Sequence, residues 1–418
     1  MASPYAAYRP IIGDTDHDLI SRVADTLRGL KVVMVNSTRD GGGVAEILRN
    51  LLPLMQELGL NIHWEIIQGD QNFFEVTKHL HNALHGRPEP LSRTMKDLYW
   101  QTQETNSQHL QEKTKENRIF FIHDPQPAGL IRFLRRPDTQ WIFRCHIDVS
   151  SPFEPAWSFL HDIIKDYDAS IFSHPSFAQK LTHPQFLVAP SIDPLADKNK
   201  PLPDDFVHNT LARFGIDPGR PLITQVSRFD KLKDPLGVIA AYRLTKRTHP
   251  DVQLLLAGGA ASDDPESVHM LSAIQETSSQ DPDIHILDLP PFSDLEINAL
   301  QRGSTVVLQK SLREGFALTV AEALWKERPV VATAVGGIPL QVLHGRTGWL
   351  VHTIEGAAYY IRRVLDHPQE SANLAKQGRE HVRRNFLITR HIREYLSLFQ
   401  CVLNPGRNVI RIAVNSSS

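Results

Sequence analysis

Two basic residues in the second half of the chain have the charge and spacing to bind a diphosphate. In "VSRFDKLKDP", Arg228 follows an apolar run and Lys233 precedes Asp234-Pro235. An aspartate followed by a proline is typical of a helix N-cap and a first-turn residue, so Lys233 is expected just before a helix. Cations in such a place bind phosphate oxygens and stabilise the charge of a departing diphosphate. The alternative for this stretch alone is a pair of solvated loop cations.

Two glutamates further along the chain flank a predicted helix start. Glu314 and Glu322 are separated by seven residues in "REGFALTVAEAL" (313–324). Carboxylates accept hydrogen bonds from hydroxyls, whereas the free N–H groups of a helix N-terminus attract phosphate. This order suits a nucleoside diphosphate sugar, which has hydroxyls at both ends and phosphates in the middle. Two surface glutamates on an amphipathic helix are the alternative.

Three consecutive glycines give the first half of the chain a candidate anion site. Gly41, Gly42 and Gly43 follow an apolar run and precede helical spacing over 44–58. Glycines let an anion approach the backbone at a helix N-terminus, although a turn needed only for close packing fits the motif equally well. A dinucleotide-binding turn would have a third glycine where Glu46 stands, and a P-loop would have a lysine after the glycines. NAD is therefore disfavoured and the P-loop is excluded.

Short apolar runs alternate with amphipathic stretches in both halves of the chain. This alternation predicts two doubly wound, Rossmann-like α/β domains with parallel sheets, and three prolines with dense charge predict a linker at 194–205. Because ligands bind beyond the C-terminal ends of such strands, we expect the site in an interdomain cleft. The predicted strands are 31–37, 62–67, 118–124, 140–148, 169–173, 186–191, 221–228, 252–259, 284–289, 304–310 and 329–337.

The composition narrows the class of protein. The 418 residues are 41% hydrophobic and carry a formal net charge of -2, with no basic block, so nucleic acid is not the expected partner. The sequence shows no signal peptide and no uncharged run of about 20 residues for a membrane span. Cys145 and Cys401 form no disulfide framework, which favours a reducing compartment and predicts a cytoplasmic protein.

Long local strings carry a resemblance to a known family. With Arg228, Lys233, Glu314 and Glu322 in place, the chain resembles the retaining GT-B glycosyltransferases of family GT4 over nearly its whole length. Within that family it is most similar to the trehalose glycosyltransferring synthases. The strings that carry the resemblance are "VNSTRDGGGVAEIL" (35–48), "FFEVTKHLHNALHG" (73–86), "HDPQPAGL" (123–130), "RCHIDVSSP" (144–152) and "VSRFDKLKDP" (226–235).

The resemblance implies a role for each matched position of the second domain. Arg228 and Lys233 hold the diphosphate, Glu322 binds the ribose hydroxyls, and Glu314 meets the hydroxyls of the sugar. No metal is then required, because the two cations take the phosphate charge. The backbone N–H groups that assist Glu314 belong to consecutive residues at the helix start: Gly315, Phe316, Ala317, Leu318 and Thr319.

In the first domain the resemblance implies that Gly42 and Gly43 approach the distal phosphate. His146, expected at the end of strand 140–148, contacts the donor sugar near its reacting face. Three further residues are candidates for the acceptor side, namely Asp124, Gln126 and Asp148. The domains implied are an acceptor-side domain at 1–195, an NDP-sugar-binding domain at 196–380, and a C-terminal helix and tail at 381–418 that crosses back to the first domain.

The implied function is transfer of glucose from a nucleoside diphosphate glucose to glucose, with retention, to form α,α-trehalose. NDP-glucose acts as co-substrate, no cofactor is required, and the partners are a sugar nucleotide and a sugar acceptor, not nucleic acid or membrane. A homodimer is one option for the assembly. Trehalose phosphorylase and a GT4 glucosyltransferase with another acceptor share most motifs and stay open. A non-catalytic sugar-nucleotide sensor is a more distant alternative.

Overall fold

Two parallel β-sheets form the frame of the protein. The computed structural model describes residues 4–39, 42–259 and 265–407. These residues divide into two compact units, the first within Met1–Pro190 and Ile388–Ser418 and the second within Ser191–Leu387. Each unit holds one sheet of six strands, which confirms the predicted tandem of α/β domains. The predicted limits of the folding domains, at 195 and 380, stay a prediction.

The first unit is built on a sheet with helices on both faces. Its strands are β1 (Lys31–Asn36), β2 (Asn61–Ile66), β3 (Ile119–His123), β4 (Gln140–Arg144), β5 (Ala169–Phe172) and β6 (Gln185–Leu187), in the order β2-β1-β3-β4-β5-β6. All adjacent pairs are parallel. The helices before β6 are α1 (Arg9–Ile12), α2 (Asp14–Asp25), α3 (Gly42–Glu57), α4 (Gln71–Leu84), α5 (Arg93–Thr114), α6 (Ile131–Leu134) and α7 (Glu154–Ile164).

Alternation along β1 shows why the sheet is covered on both sides. Val32 and Met34 enter one hydrophobic core, and Val33 and Val35 enter the core on the opposite face. Successive side chains of a strand point to opposite faces, so a strand buried on both sides is apolar throughout. The carboxyl ends of the strands are consequently left as the polar edge of the unit.

The second unit repeats this plan. Its strands are β7 (Leu222–Val226), β8 (Gln253–Gly258), β9 (Ile284–Asp288), β10 (Val306–Gln309), β11 (Val330–Thr333) and β12 (Trp349–Val351), all parallel, in the order β12-β11-β10-β7-β8-β9. Its helices are α8 (Asp204–Arg213), α9 (Pro235–Lys246), α10 (Pro265–Ser278), α11 (Asp294–Arg302), α12 (Leu318–Trp325), α13 (Ile338–Gln341), α14 (Ile354–Asp366) and α15 (Pro368–Asn385).

The last helix, α16 (Ile388–Val402), packs in the first unit. Its side chains Ile392 and Tyr395 share a buried core with Phe121 of β3. The Arg390 guanidinium donates to the carbonyl oxygens of Ala189 and Pro190, each at 2.9 Å. The chain therefore leaves the first unit after β6 and re-enters it at α16. No helix of the described ranges is long and apolar enough to cross a bilayer.

Several element limits differ from the sequence prediction. The strand predicted over 140–148 ends at Arg144, so His146 lies two residues beyond the strand and not at its end. The segment predicted as a linker packs within the second unit, where the Asn298 amide donates to the carbonyl oxygens of Asp197 and Lys200 at 2.7 and 2.8 Å. Strand β12 was not predicted, because its apolar run "WLV" ends after three residues, between Gly348 and His352, and is too short to indicate a strand.

Candidate functional site

The cations and one glutamate of the sequence analysis meet at the carboxyl edge of the second sheet. Lys233 follows β7 and Glu314 follows β10, and these two strands are neighbours in the sheet. The Lys233 ammonium nitrogen Nζ lies 2.6 Å from Glu314 Oε2. Both side chains are mostly buried, with 18% and 10% exposed, so the ion pair is shielded from solvent. An exposed pair would gain less from its charges.

Local hydrogen bonds fix the backbone of Lys233. The residue ends a 3₁₀ turn (Lys231–Lys233), which Asp230 caps by accepting the Lys233 N–H at 3.2 Å. The Gln225 amide donates to the Lys233 carbonyl oxygen at 3.1 Å. Arg228 is held less firmly, because it is 63% exposed and pairs with Asp230 at 3.2 Å. The two predicted cations thus differ in how well their positions are fixed.

The Glu314 loop is held by its own strand end and by two glycines. Glu314 Oε2 accepts a second hydrogen bond, from the Ser311 hydroxyl at 3.0 Å. Gly336 has a left-handed φ of +54°, and a Cβ atom on it would lie 1.6 Å from the Glu314 carbonyl oxygen. The Gly337 N–H donates to the Gly315 carbonyl oxygen at 3.2 Å. The loop after β11 therefore packs directly on the backbone that carries Glu314.

Helix α12 begins at Leu318, as its predicted start implied. Ala317 occupies the N-cap position with a left-handed φ of 68° and provides no side-chain cap. The first-turn N–H groups, including those of Leu318 and Thr319, have no acceptor within the helix and carry its positive dipole end. Glu322 lies one turn further and is only 1% exposed. The sequence prediction that phosphate-binding N–H groups lie between two carboxylates is consistent with this arrangement.

A second buried ion pair at this edge was not predicted. Lys310 Nζ bonds Asp234 Oδ2, and Lys310 is buried with 7% of its side chain exposed. Asp234 also caps α9 through Oδ1, which accepts the Gly237 N–H at 3.1 Å. The predicted N-cap is confirmed, but its ion pair was missed. The available signal was a lysine at the end of the predicted strand 304–310, two residues after the apolar run of β10.

The glycine turn of the first unit is described in part. Gly41 lies outside the described residues. Gly42 begins α3 with a φ of +77°, a conformation that side-chain-bearing residues rarely adopt, and a Cβ atom there would meet none of the described residues within 4 Å. Gly43 follows within the helix. Gly42 is therefore required by backbone conformation and leaves open space above the helix start.

Asp124 and His146 are brought together at the carboxyl edge of the first sheet. Asp124 follows β3 with a left-handed φ of 65°, and its Oδ1 accepts the His146 backbone N–H at 2.7 Å. Burial raises the pKa of Asp124 to about 7, although the His146 N–H and the charge of Arg144 lower it. The carboxyl group therefore titrates near neutral pH.

Buried imidazoles surround His146. His123 lies at the end of β3, and His391 extends from α16; both are at most 2% exposed. Burial, followed by the charge of Arg144, lowers the pKa of His123 to about 3. The pKa values of His146 and His391 are also lowered well below the ordinary value, with burial the largest cause. All three side chains are therefore neutral at pH 7.

The other two acceptor-side candidates differ in whether the side chain or the backbone is hydrogen-bonded. Asp148 is buried, and its Oδ1 accepts from the Ser150 N–H at 3.0 Å and from the Ser150 hydroxyl at 2.6 Å. The Gln126 carbonyl oxygen accepts from the Gln103 amide at 2.7 Å. These bonds order the loops after β4 and β3, while Gln126 Oε1 is buried without a hydrogen-bond partner among the described residues.

The buried histidines predict acid sensitivity. A folded-state pKa below the unfolded value of about 6.5 means that the unfolded chain takes up the proton first, so stability is lost as pH falls below that value. Asp124 has the opposite effect on stability. Because its folded-state pKa is raised, the folded chain takes up this proton first, and stability is gained as pH falls from about 7 to about 4. Three imidazoles favour the unfolded chain on acidification and one carboxyl group favours the folded chain, so these four groups together lower stability as pH falls.

We expect His391→Gln to reduce the loss of stability on acidification by about 1.4 kcal/mol per pH unit, since one titrating group is removed. The measurement is the thermal unfolding midpoint from pH 7 to pH 4.5, with His208→Gln at an exposed position as the control. An unchanged pH dependence in His391→Gln would show that this imidazole is not held neutral.

Comparison with known proteins matches both halves of the chain. Residues 34–179 match the family described as "Trehalose synthase, N-terminal domain", and residues 208–381 match "Glycosyl transferases group 1". The chain is 44% identical over 395 residues to a trehalose synthase of Thermococcus litoralis, covering 94% of this chain and 95% of the relative. A trehalose synthase of Rubrobacter xylanophilus is 42% identical, with 95% and 97% covered.

A phosphorylase and two solved structures show weaker similarity or similarity in the fold alone. A trehalose phosphorylase of Pleurotus pulmonarius is 31% identical over 82% of this chain, which spans about half (53%) of that protein. Among solved structures, a trehalose-6-phosphate synthase, OtsA, has a TM-score of 0.74 at 15% identity, covering 91% of this chain and all of the other. A sucrose-phosphate synthase from Thermosynechococcus elongatus has a TM-score of 0.71 at 17% identity, covering 88% and 98%. These structures share the two-sheet fold.

Proposed function

The chain belongs to the trehalose synthase family of glycosyltransferases, and from this membership we propose that it transfers glucose from a nucleoside diphosphate glucose to free glucose, forming α,α-trehalose. The observation that carries the proposal is the Lys233–Glu314 pair beside the start of α12. This arrangement places a cation, a carboxylate and free helix N–H groups together. A sugar diphosphate is the ligand that needs all three.

The donor roles in the second unit are assigned to groups of matching chemistry. Lys233 and Arg228 bind the diphosphate, and the amides at the start of α12 bind its oxygens. Glu322 accepts hydrogen bonds from the ribose hydroxyls, and Glu314 accepts them from the sugar. The ion pair with Lys233 supports these roles, because it holds the Glu314 carboxylate 2.6 Å from a cation of the kind that binds phosphate.

The first unit supplies the remaining proposed contacts. Gly42 and Gly43 bind the distal phosphate through backbone N–H groups, since none of the described residues would lie within 4 Å of a Cβ atom on Gly42. His146 contacts the donor sugar. Three residues are proposed for the acceptor: Asp124, Gln126 and Asp148.

Front-face substitution is the mechanism that suits these residues. The bond between the anomeric carbon and the diphosphate oxygen breaks, and its electron pair leaves with the diphosphate. The acceptor oxygen bonds the same face of the carbon, and its proton moves to the departing diphosphate oxygen. Lys233 and Arg228 stabilise the negative charge on that leaving group. The α configuration of the donor is thereby retained.

We expect no covalent glucosyl-enzyme during turnover. A covalent route needs a carboxylate free to attack the sugar, but Glu314 bonds Lys233 and Ser311, and Asp148 bonds Ser150. The measurement is intact-protein mass spectrometry with a 2-fluoro donor sugar, which slows breakdown of any adduct. A mass increase of one fluoroglucosyl group, located on a carboxylate, would contradict the front-face mechanism.

The two glutamates are expected to act at different stages. Glu322→Gln should weaken binding of the free nucleoside diphosphate about tenfold or more, because hydrogen bonds to a charged group contribute about 1.5–3 kcal/mol. Glu314→Gln should leave that affinity equal or higher, since Lys233 loses a competing carboxylate, while kcat falls. Calorimetric titration with UDP, ADP and GDP and parallel rate assays distinguish the variants. The reverse pattern would show that the nucleotide and sugar positions are exchanged.

Trehalose phosphorylase is the alternative that shares most of the sequence motifs. The chain is less similar to a phosphorylase, at 31% identity, than to the trehalose synthases. The separating experiment supplies glucose with either an NDP-glucose or glucose 1-phosphate. The proposal expects disaccharide and nucleoside diphosphate from the first mixture and no disaccharide from the second. Product from glucose 1-phosphate alone would replace the synthase with a phosphorylase.

A further inference from the structure

Two imidazoles of the first unit are joined by an in-line hydrogen bond. His123 Nδ1 lies 3.1 Å from His146 Nε2. Their ring centres are 5.4 Å apart and their planes differ by 15°. The distance between the ring centres exceeds the distance between the two nitrogens by about twice the distance from a ring centre to one of its atoms. The two nitrogens therefore lie on the line that joins the ring centres. Ring N–H groups and ring lone pairs both lie in the ring plane, which makes this geometry favourable.

A hydrogen bond between two ring nitrogens needs a proton on one of them and a lone pair on the other. Both imidazoles are neutral at pH 7 because burial lowers their pKa values. A neutral imidazole has one N–H donor and one bare acceptor nitrogen. Either His123 donates from Nδ1 and leaves its Nε2 bare, or His146 donates from Nε2 and His123 carries its proton on Nε2.

The surroundings of His123 favour the first arrangement. His123 Nε2 is buried and has no hydrogen-bond partner within the described ranges, so a proton there would have no acceptor. The charged group that acts on His123 is Arg144, which is fully buried. A positive charge nearby disfavours a further N–H donor, and buried N–H groups without an acceptor are rare in proteins. The bare nitrogen of His123 therefore belongs at Nε2.

We propose that His123 is a positioning residue that holds His146 as the Nδ1–H tautomer and so presents this N–H as a hydrogen-bond donor to the sugar. The proposal rests on the proposed function for the identity of the ligand. His146 is held twice, since Asp124 accepts its backbone N–H at 2.7 Å and its ring Nε2 lies 3.1 Å from His123 Nδ1. Its Nδ1 has no partner among the residues that the structure describes, and a fixed N–H donor can bond a sugar hydroxyl oxygen.

The tautomer can be measured in the free enzyme. We expect long-range ¹⁵N–¹H correlation spectra of ¹⁵N-histidine-labelled protein to show His146 protonated at Nδ1, with its signals assigned by their loss in His146→Gln. In His123→Phe, which keeps a ring but removes the donor, the Nε2–H form should gain population. Protonation of His146 at Nε2 in the unmodified enzyme would overturn the proposal. This result does not depend on which reaction the enzyme catalyses.

Rates separate positioning from a structural role. His123→Phe should lower kcat about tenfold or more, the effect of one lost hydrogen bond, with KM for the donor little changed. His123→Asn, whose amide N–H can still donate to His146, should recover most of that rate. Equal losses in both variants, with an unchanged His146 tautomer, would contradict the proposal. If no variant or parent transfers glucose, the proposed function fails while the spectra still decide the tautomer.

Discussion

Lys233→Met is expected to lower kcat by about 10²–10³, because one fixed group that stabilises a leaving charge typically contributes that factor. The structure adds a second cause. Without Lys233, the partner that the Glu314 carboxylate retains among the described residues is the Ser311 hydroxyl, so its negative charge is left uncompensated beside the proposed phosphate site. Steady-state kinetics with a nucleoside diphosphate glucose and glucose provide the measurement. A kcat within threefold of the parent's would show that Lys233 serves the fold and not the chemistry.

Arg228→Ala should have a smaller effect than Lys233→Met, because Arg228 is 63% exposed and less firmly held. The matched control is Arg213→Ala, which removes a cation of similar exposure, 57%, paired with Glu296 on the surface of the same unit. It should leave kcat unchanged.

A double-mutant cycle of Lys233→Met with Glu314→Gln measures the coupling energy between the two side chains. Additive losses of kcat would show that the pair does not act together.

The second large effect is expected from a single methyl group. Gly336→Ala places a Cβ atom 1.6 Å from the Glu314 carbonyl oxygen and 2.7 Å from its carbonyl carbon, so backbone must move against backbone. We expect destabilisation by more than about 3 kcal/mol and a fall in kcat of at least about 100-fold in whatever protein remains folded. Thermal unfolding and kinetics of the purified variant provide the two measurements.

Gly215→Ala is the control that distinguishes the steric clash of the new Cβ atom from the cost of a left-handed backbone conformation. Gly215 has a left-handed φ of +73°, but a Cβ atom there would meet nothing within 4 Å. It should lose only about 1–2 kcal/mol, the cost of an L-residue in that region, and keep its kcat. Normal activity and stability in Gly336→Ala would mean that the loops after β10 and β11 do not position Glu314.

The sequence predicted the sheets well because buried parallel strands are continuous apolar runs. β3 and β7 are buried at every residue, and each was predicted to within two residues. Strand ends were less accurate, since apolar residues such as Cys145 and Ile147 are buried in a loop and extend the run without joining the ladder. An apolar run therefore indicates which residues are buried, but it does not show which of them pair in the sheet.

The candidate residues were found by type, but their partners were not. Lys233 and Glu314 are 81 positions apart, and only the adjacency of β7 and β10 brings their side chains together. The Asp234–Lys310 pair and the approach of His391 to His123 depend on tertiary packing in the same way. Spacing along the chain cannot show such contacts, because they are fixed by strand order and by the return of α16.

The configuration of the product tests the central claim most directly. The enzyme is incubated with [1-¹³C]glucose-labelled nucleoside diphosphate glucose and unlabelled glucose, and the products are followed by ¹³C NMR. We predict one nucleoside diphosphate released for each disaccharide formed, with the labelled anomeric carbon in an α linkage to the anomeric carbon of the acceptor. A β linkage, a linkage to another hydroxyl, or binding of the donor without any transfer would contradict the proposal that the chain forms α,α-trehalose by a retaining mechanism.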